Sequence, residues 1–531
     1  MPLPYDLDSM ITKSESKRPA YGHRELIRVP NIADHFHTNE PPDDPDAQLF
    51  SQTLRYATDR EPFLQEEVRY LETILYQRLE ELSRVQQTIR QYKFVLSPVR
   101  RLPRELLMEI FFQAIGNEDP EDVLDFDRGL WPLTHICRLW RTLILNHASF
   151  WTTVSLPGRI RYPTYAVHIL SLFLERSGSR PIFVDFTCRD LENLPQTLFS
   201  VLVAHSHHWE TCRFRIPVLL INHLSPRAIE RAKVLRHLDL NLDLMYSSRL
   251  SDACSNLFVE ASVLRSVKLT GVPLTPDTLG LRWSILTHYN VAQDFPEKHL
   301  AVLRLATGLV ECTMNCSQSW RQEPWGSDPV SLRKLQILKL EGTASVLLKY
   351  LFTPNLCSLS ILLSETEDSL KGFLDRSKPR LRELEIEANP MGNNILDALQ
   401  SAPHLIKLAL NVSVPTDYRQ SIVFKDLLVA LKYHTRDDAG DSTTTKCKLS
   451  RLEELILSVY TISSRDNLFA NELTAMAVSR WKVPGKEREG TEQNLAQLKS
   501  FTLETNSYWL PAFNVFKELD QEGLKTNIHL H

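Results

Sequence analysis

Glycine is scarce in this sequence: 16 of 531 residues, about 3% against the roughly 7% of an average protein. Loops that cradle phosphate depend on glycine, and neither a GxxxxGK nor a GxGxxG run occurs. Long apolar runs are missing as well. Nothing approaches the roughly 18 residues of a membrane-spanning helix, so no membrane partner is expected. There is no surplus of positive charge. Lysine plus arginine number 61 and aspartate plus glutamate 65, a formal charge of −4, which argues against nucleic acid as a partner. Cysteine is sparse at 8. That pattern reads as reduced thiols in a cytoplasmic or nuclear protein rather than a disulfide framework. The opening MPLPYDLDSMITKSESKR carries aspartates and no apolar core, so it is not read as a secretory signal.

The residue patterns of common catalytic chemistry are also absent. There is no GxSxG elbow. Cys312 and Cys316 have no second pair nearby at zinc spacing. HSHHWE at 205–210 lacks the HExxH register that puts two ligands on one helix face, and reads as a polar helix end. Glu383, Glu385 and Glu387 alternate along one stretch, which places them together on the exposed face of a strand with no basic partner beside them in sequence. The expectation is a protein that is not an enzyme and holds no cofactor or metal. A hydrolase concealed in a repeat shell is the least favoured alternative.

Residues 1–60 are rich in Pro, Asp, Ser and Thr, as in NEPPDDPD at 39–46, and read as a disordered tail. KSESKR at 13–18 reads as a solvated basic run. A helix is predicted over 61–95, with Pro62 near its start. Its apolar residues repeat every seven positions: Val68, Leu75, Leu82 and Ile89 in one set, Leu71, Val85 and Tyr92 in the other, interrupted by Arg78. Such a helix either packs on the following domain or pairs as a dimeric coiled coil. Arg78 in mid-seam and Leu79 widening the apolar face favour packing. Ser97-Pro98 marks its end. A compact helical unit is predicted over 96–156. Leu106, Leu107, Ile110 and Phe111 share a helix face behind Pro103. After an acidic loop at 117–129, Leu133, Ile136, Cys137, Trp140, Leu143 and Ile144 recur at helical spacing. About 60 residues make a small core, so the unit is a candidate for docking on a partner.

This unit resembles an F-box. LPRELLMEIF supplies Leu102, Pro103, Glu105, Leu106, Ile110 and Phe111, and ICRLWRTLILNHASFW supplies Ile136, Cys137, Arg138, Trp140, Arg141, Phe150 and Trp151. The long insertion departs from the commonest pattern. The order of heptad helix, SPVRRLP and interrupted motif is similar to fungal F-box proteins. The resemblance implies binding to a Skp-type adaptor through Leu102, Pro103, Leu106, Ile110, Phe111, Ile136, Cys137 and Trp140. The adaptor in turn engages the cullin of an SCF-type ubiquitin ligase.

From 157 to 531 a six-residue pattern, apolar-x-x-apolar-x-apolar, recurs. It runs WETCRF (209), LRHLDL (235), LRSVKL (264), LTHYNV (286), LVECTM (309), LQILKL (335), LCSLSI (356), LRELEI (381), LIKLAL (405), LEELIL (452) and LKSFTL (498). Most intervals lie in the roughly 20–29-residue range of leucine-rich repeats. The last two are about double, containing either a degenerate repeat or an insertion. Polar runs at 434–446 and 483–493 read as surface loops there, and NNILDALQSAPHL at 393–405 as a helix turning into a strand. FWTTVSL at 150–156 and PIFVDF at 181–186 are candidate extra strands at the start. The array resembles a degenerate leucine-rich repeat, keeping the family's ladder asparagine only at Asn389. The expected fold class is therefore multidomain: a heptad helix and an F-box-like helical unit, then a leucine-rich-repeat-like α/β solenoid with a parallel sheet. One repeat cannot bury its own apolar face; stacked repeats can. The x positions then point outward on a concave face and would contact a target protein: Arg236, His237 and Asp239; Arg265, Ser266 and Lys268; Arg382, Glu383 and Glu385; Glu453, Glu454 and Ile456. This strip is expected to run from basic to acidic. The function implied is a substrate-recognition subunit of an SCF-type ligase; the rival is an interaction scaffold with an F-box-like cap.

Overall fold

The computed structural model describes residues 32–37, 40–115, 122–156, 163–188, 195–222, 232–243, 256–319, 328–363, 369–388, 394–414, 418–432, 449–461, 470–482, 496–505 and 510–530. The chain divides into two units, 1–103 and 104–531. The predictions for Asn389 and for the two polar runs at 434–446 and 483–493 lie outside the described residues, as does KSESKR.

The first unit is dominated by one helix, α1, Asp44–Val95. It begins well before the expected position, so residues 44–60 are helical rather than part of a tail. Its start is set by Pro45 in the first turn with Asp44 and Asp46 beside it, where a missing N–H costs nothing and acids complement the helix dipole. Pro62 lies inside the helix instead of at its start. The helix has no buried residue, so the carbonyl that proline leaves unpaired can meet water.

The second unit opens with three short helices: α2, Arg104–Ala114; α3, Leu130–Ile136; and α4, Arg138–Asn146. It continues as a sheet of fourteen strands, all parallel, in unbroken sequence order. The strands are β1 Thr153–Leu156, β2 Ile182–Thr187, β3 Trp209–Pro217, β4 His237–Asp243, β5 Ser266–Thr270, β6 His288–Gln293 and β7 Glu311–Cys316. They continue with β8 Ile337–Gly342, β9 Ser358–Leu363, β10 Glu383–Ala388, β11 Lys407–Val414, β12 Glu454–Thr461, β13 Ser500–Thr505 and β14 Lys525–Leu530. A separate two-residue pairing joins Leu351–Phe352 to Val330–Ser331. Among the described residues no helix is long and apolar enough to cross a membrane. The fold is thus mixed α/β, a long helix plus a large parallel sheet.

Each motif found in sequence becomes a strand, and like positions pair with like. Leu238 lies beside Val267, Val267 beside Tyr289, Tyr289 beside Cys312 and Cys312 beside Leu338. Except in the first motif, which leads with Trp209 inside β3, the leading leucine precedes its strand and is also buried: Leu235, Leu264, Leu335, Leu405 and Leu498 are 0–1% exposed. Just after it, one backbone N–H donates to the preceding repeat. Arg236 N reaches Glu210 O at 2.8 Å, Arg265 N reaches Arg236 O at 2.9 Å, and Glu453 N reaches Ile406 O at 2.8 Å. Because side chains alternate, a slip of one residue would expose every inward apolar group, so burial fixes the register. The two double-length intervals are insertions: β11 pairs directly with β12, and β12 with β13. Arg480, 8% exposed, bridges one of them, donating to the carbonyls of Leu431 (2.5 Å) and Leu449 (2.8 Å).

Candidate docking surfaces

Helix α2 carries apolar side chains on two sides. Leu107 (2% exposed) and Phe111 (1%) turn inward, whereas Leu106 (53%) and Ile110 (47%) remain in solvent. The inward side meets a cluster of rings. Phe111 lies 4.6 Å from Trp140 between ring centroids, and Phe112 stacks on Phe150 at 4.1 Å. Trp151 is fully buried against Phe173, and its Nε1 donates to Ile144 O at 2.9 Å. Phe111 is therefore a core residue, and half-buried Trp140 packs on it.

The helix expected across Cys137 is broken there. Cys137 is extended (φ −157°, ψ 167°) and separates α3 from α4. A helix end leaves carbonyls without intrahelical partners. Arg141 supplies one, its Nε donating to Thr134 O at 2.8 Å. The break leaves Ile136 (54% exposed), Cys137 and Leu139 (42%) at the surface. Leu102 is half-buried and Pro103 exposed; both belong to the first unit. Within the second unit the adaptor set thus separates into exposed Leu106, Ile110, Ile136 and Cys137, and packed Phe111 and Trp140. Sequence reasoning missed exposed Leu139, which lies between the motif residues Arg138 and Trp140.

The helical unit is joined to the sheet through β1. Val123 N donates to Ser155 O at 2.9 Å, and Trp131 Nε1 donates to Val123 O at 3.0 Å. Val123 therefore pairs one carbonyl on the free edge of the first strand, where backbone groups would otherwise stand unpaired.

The outward sheet positions form rows. One runs Asp185, Arg213, Asp239, Lys268, Asn290, Thr313, Lys339, Ser360, Glu385, Ala409, Ile456. The first four alternate in sign and pair: Arg213 with Asp185 at 3.1 Å and with Asp239 at 3.8 Å, and Lys268 with Asp239 at 3.7 Å. Arg236 pairs with Glu210 at 3.4 Å, while Arg265 donates to Ile285 O at 2.9 Å. The expected basic character of the early strands is thus a correction: their cations are largely matched by Asp185, Glu210 and Asp239. His237 is exposed beside Ser266. Further along, Glu383, Glu385 and Arg382 are exposed as expected. Glu383 accepts from Ser358 Oγ at 3.1 Å, and Glu385 lies between uncharged Ser360 and Ala409. Lys407 lies beside Glu383 in the register, so the acids of β10 also have a cation next to them.

Buried polar groups elsewhere serve packing. Tyr289 Oη and His299 Nδ1 are 2.8 Å apart in the core, and burial lowers the His299 pKa to about 4. Burial likewise raises the Cys316 thiol to about 12, which holds it neutral and poorly nucleophilic. The His205–His208 segment ends a helix and enters β3. Burial, then the neighbouring histidines, lowers His208. Among the described residues no group of three His, Cys, Asp or Glu is placed to hold a metal ion. No family model and no curated protein matches the chain.

Proposed function

We propose that this chain is the substrate-recognition subunit of an SCF-type cullin–RING ubiquitin ligase, acting in the cytoplasm or nucleus. The observation that carries the reading is the division of α2. Leu107 and the motif residue Phe111 hold the unit together, while Leu106 and Ile110 stand in solvent with exposed Ile136 and Leu139. Isolated exposed leucines are ordinary; several on one small helical unit support the reading of an interaction surface. In this reading that surface binds the Skp-type adaptor, and the sheet is a degenerate leucine-rich-repeat-like solenoid whose outward positions hold the target. The chain forms no covalent intermediate. It raises the effective concentration of a target lysine near the ubiquitin-carrying enzyme.

A second reading, a scaffold whose helical unit only caps the sheet, draws on the Val123–Ser155 bond at the β1 edge. Affinity purification with mass spectrometry separates the two, comparing wild type with Leu106→Glu plus Ile110→Glu. The ligase reading expects adaptor and cullin to be lost while targets remain. An unchanged partner list without ligase components supports the scaffold.

A further inference from the structure

Helix α1 buries nothing, although its apolar residues form one seam. Leu54 (69% exposed), Leu64 (46%), Val68 (52%), Leu71 (56%), Leu75 (59%) and Leu82 (51%) occupy its heptad core positions. Those same positions also include two opposite charges, Glu61 and Arg78. At about 1.5 Å per residue the helix is long enough for about seven heptads, well beyond the three or four that sustain a coiled coil.

We infer that a second copy of the chain covers this seam, with the two α1 helices running antiparallel about their common midpoint between Arg69 and Tyr70. The register follows from the two charges. A parallel, in-register pair would set Glu61 against the partner's Glu61 and Arg78 against the partner's Arg78. It would also place Glu67 beside the partner's Glu72, since flanking positions of successive heptads meet across a parallel pair. Antiparallel pairing about the midpoint sets Glu61 against the partner's Arg78, twice by symmetry. The same register puts Val68 against the partner's Leu71, Leu64 against the partner's Leu75, and small Ala57 against the partner's Leu82. It matches apolar to apolar and acid to base along the seam. It also centres on the helix as observed, Asp44–Val95. A two-fold axis makes such an interface self-complementary.

Competing contacts within one helix are weak. Arg78 reaches Glu81 at 2.8 Å and Gln65 reaches Glu61 at 2.9 Å, all solvent-exposed. Exposed pairs of this kind contribute little, so they yield to a partner. Pro62 is one position beyond Glu61 in the heptad, off the seam.

Sedimentation of the full chain at tens of micromolar tests this with Glu61→Lys, Arg78→Glu and the double variant. Each single change sets like charges face to face at both symmetric layers and weakens dimerisation by about a hundredfold or more. The double change restores opposite charges and returns affinity to near wild type. Circular dichroism checks that α1 stays helical in every variant. A monomeric wild type overturns the inference, as does a dimer indifferent to both single changes. Singles that dissociate without rescue by the double variant overturn the antiparallel register.

Discussion

Helix α1 and the fourteen-stranded sheet are both built from short apolar repeats, yet α1 buries none of its residues while the repeat leucines of the sheet are almost wholly enclosed. The difference lies in where each repeat finds its partner. A strand repeat meets the next repeat of the same chain, offset by one turn of sequence, and β3 to β13 cover one another in register. A heptad repeat extends along one helix axis and never folds back on itself. Its apolar seam needs another helix. The short helices α2–α4 stand between these extremes. One side of α2 is satisfied by Trp140 and Phe150, and the other is left open. Apolar surface that the fold does not consume is available for partners, and in this chain it is concentrated on helices.

The sharpest way to break that contrast is to remove one residue from each region. Trp151→Ala deletes a fully buried ring and its bond to Ile144 O, and should lower unfolding free energy by about 4 kcal/mol. Leu75→Ala, at a site 59% exposed, should leave unfolding of the second unit within about 0.5 kcal/mol. Denaturant titration followed by tryptophan fluorescence measures both; equal losses would dissolve the distinction.

Acid should separate the regions next. His299 is fully buried and its pKa is lowered to about 4 by burial, whereas an unfolded histidine titrates near about 6.5. As pH falls from about 6.5, the unfolded chain takes up a proton that the folded chain refuses, until about pH 4. The site therefore costs the sheet about 3 kcal/mol across that window. Stability against pH should flatten by that amount in His299→Gln.

A backbone substitution has a smaller effect. Gly342 ends β8 with φ +60°, and a Cβ there would lie 2.0 Å from Cys316 O. Gly342→Ala should cost about 2 kcal/mol through strain at this junction, read as a lower thermal midpoint. A stable alanine variant would show that the strand ends are looser than the register implies. Smaller again, Leu106→Ala with Ile110→Ala should change stability by no more than about 1 kcal/mol, since both side chains are already in water.

Much of the sheet was legible because its signal is periodic and is consumed locally: eleven motifs became eleven consecutive strands, β3 to β13. The last strand, β14, was not foreseen. Its register sets Thr526 opposite Phe501 and Ile528 opposite Leu503, so a threonine stands where the pattern requires an apolar residue, and Gly523 takes the place of the leading leucine. The early start of α1 was hidden by its composition, since Asp44-Pro45-Asp46 resembles a polar tail as closely as a helix cap. The break at Cys137 was invisible because helical spacing continues through it; the extended backbone there and the Arg141 bond to Thr134 O are seen only in the structure. Of the candidate docking residues, sequence could place four apolar side chains on α2 but not say which two face inward. That choice depends on Trp140 and Phe150, distant in sequence, and it places Phe111 in the core. The charge pattern on the outward face failed for a similar reason: Asp185 and Glu210 lie outside the strands whose cations they neutralise.

The central claim is that the open side of α2 is a docking surface for a Skp-type adaptor, and calorimetric titration of the full chain with the purified adaptor tests it most directly. Wild type should bind. Leu106→Glu with Ile110→Glu should weaken binding by at least about a hundredfold, as expected when central apolar anchors are lost, with the unfolding midpoint unchanged. Wild-type affinity in that variant, or no binding by the wild-type chain, would contradict the account.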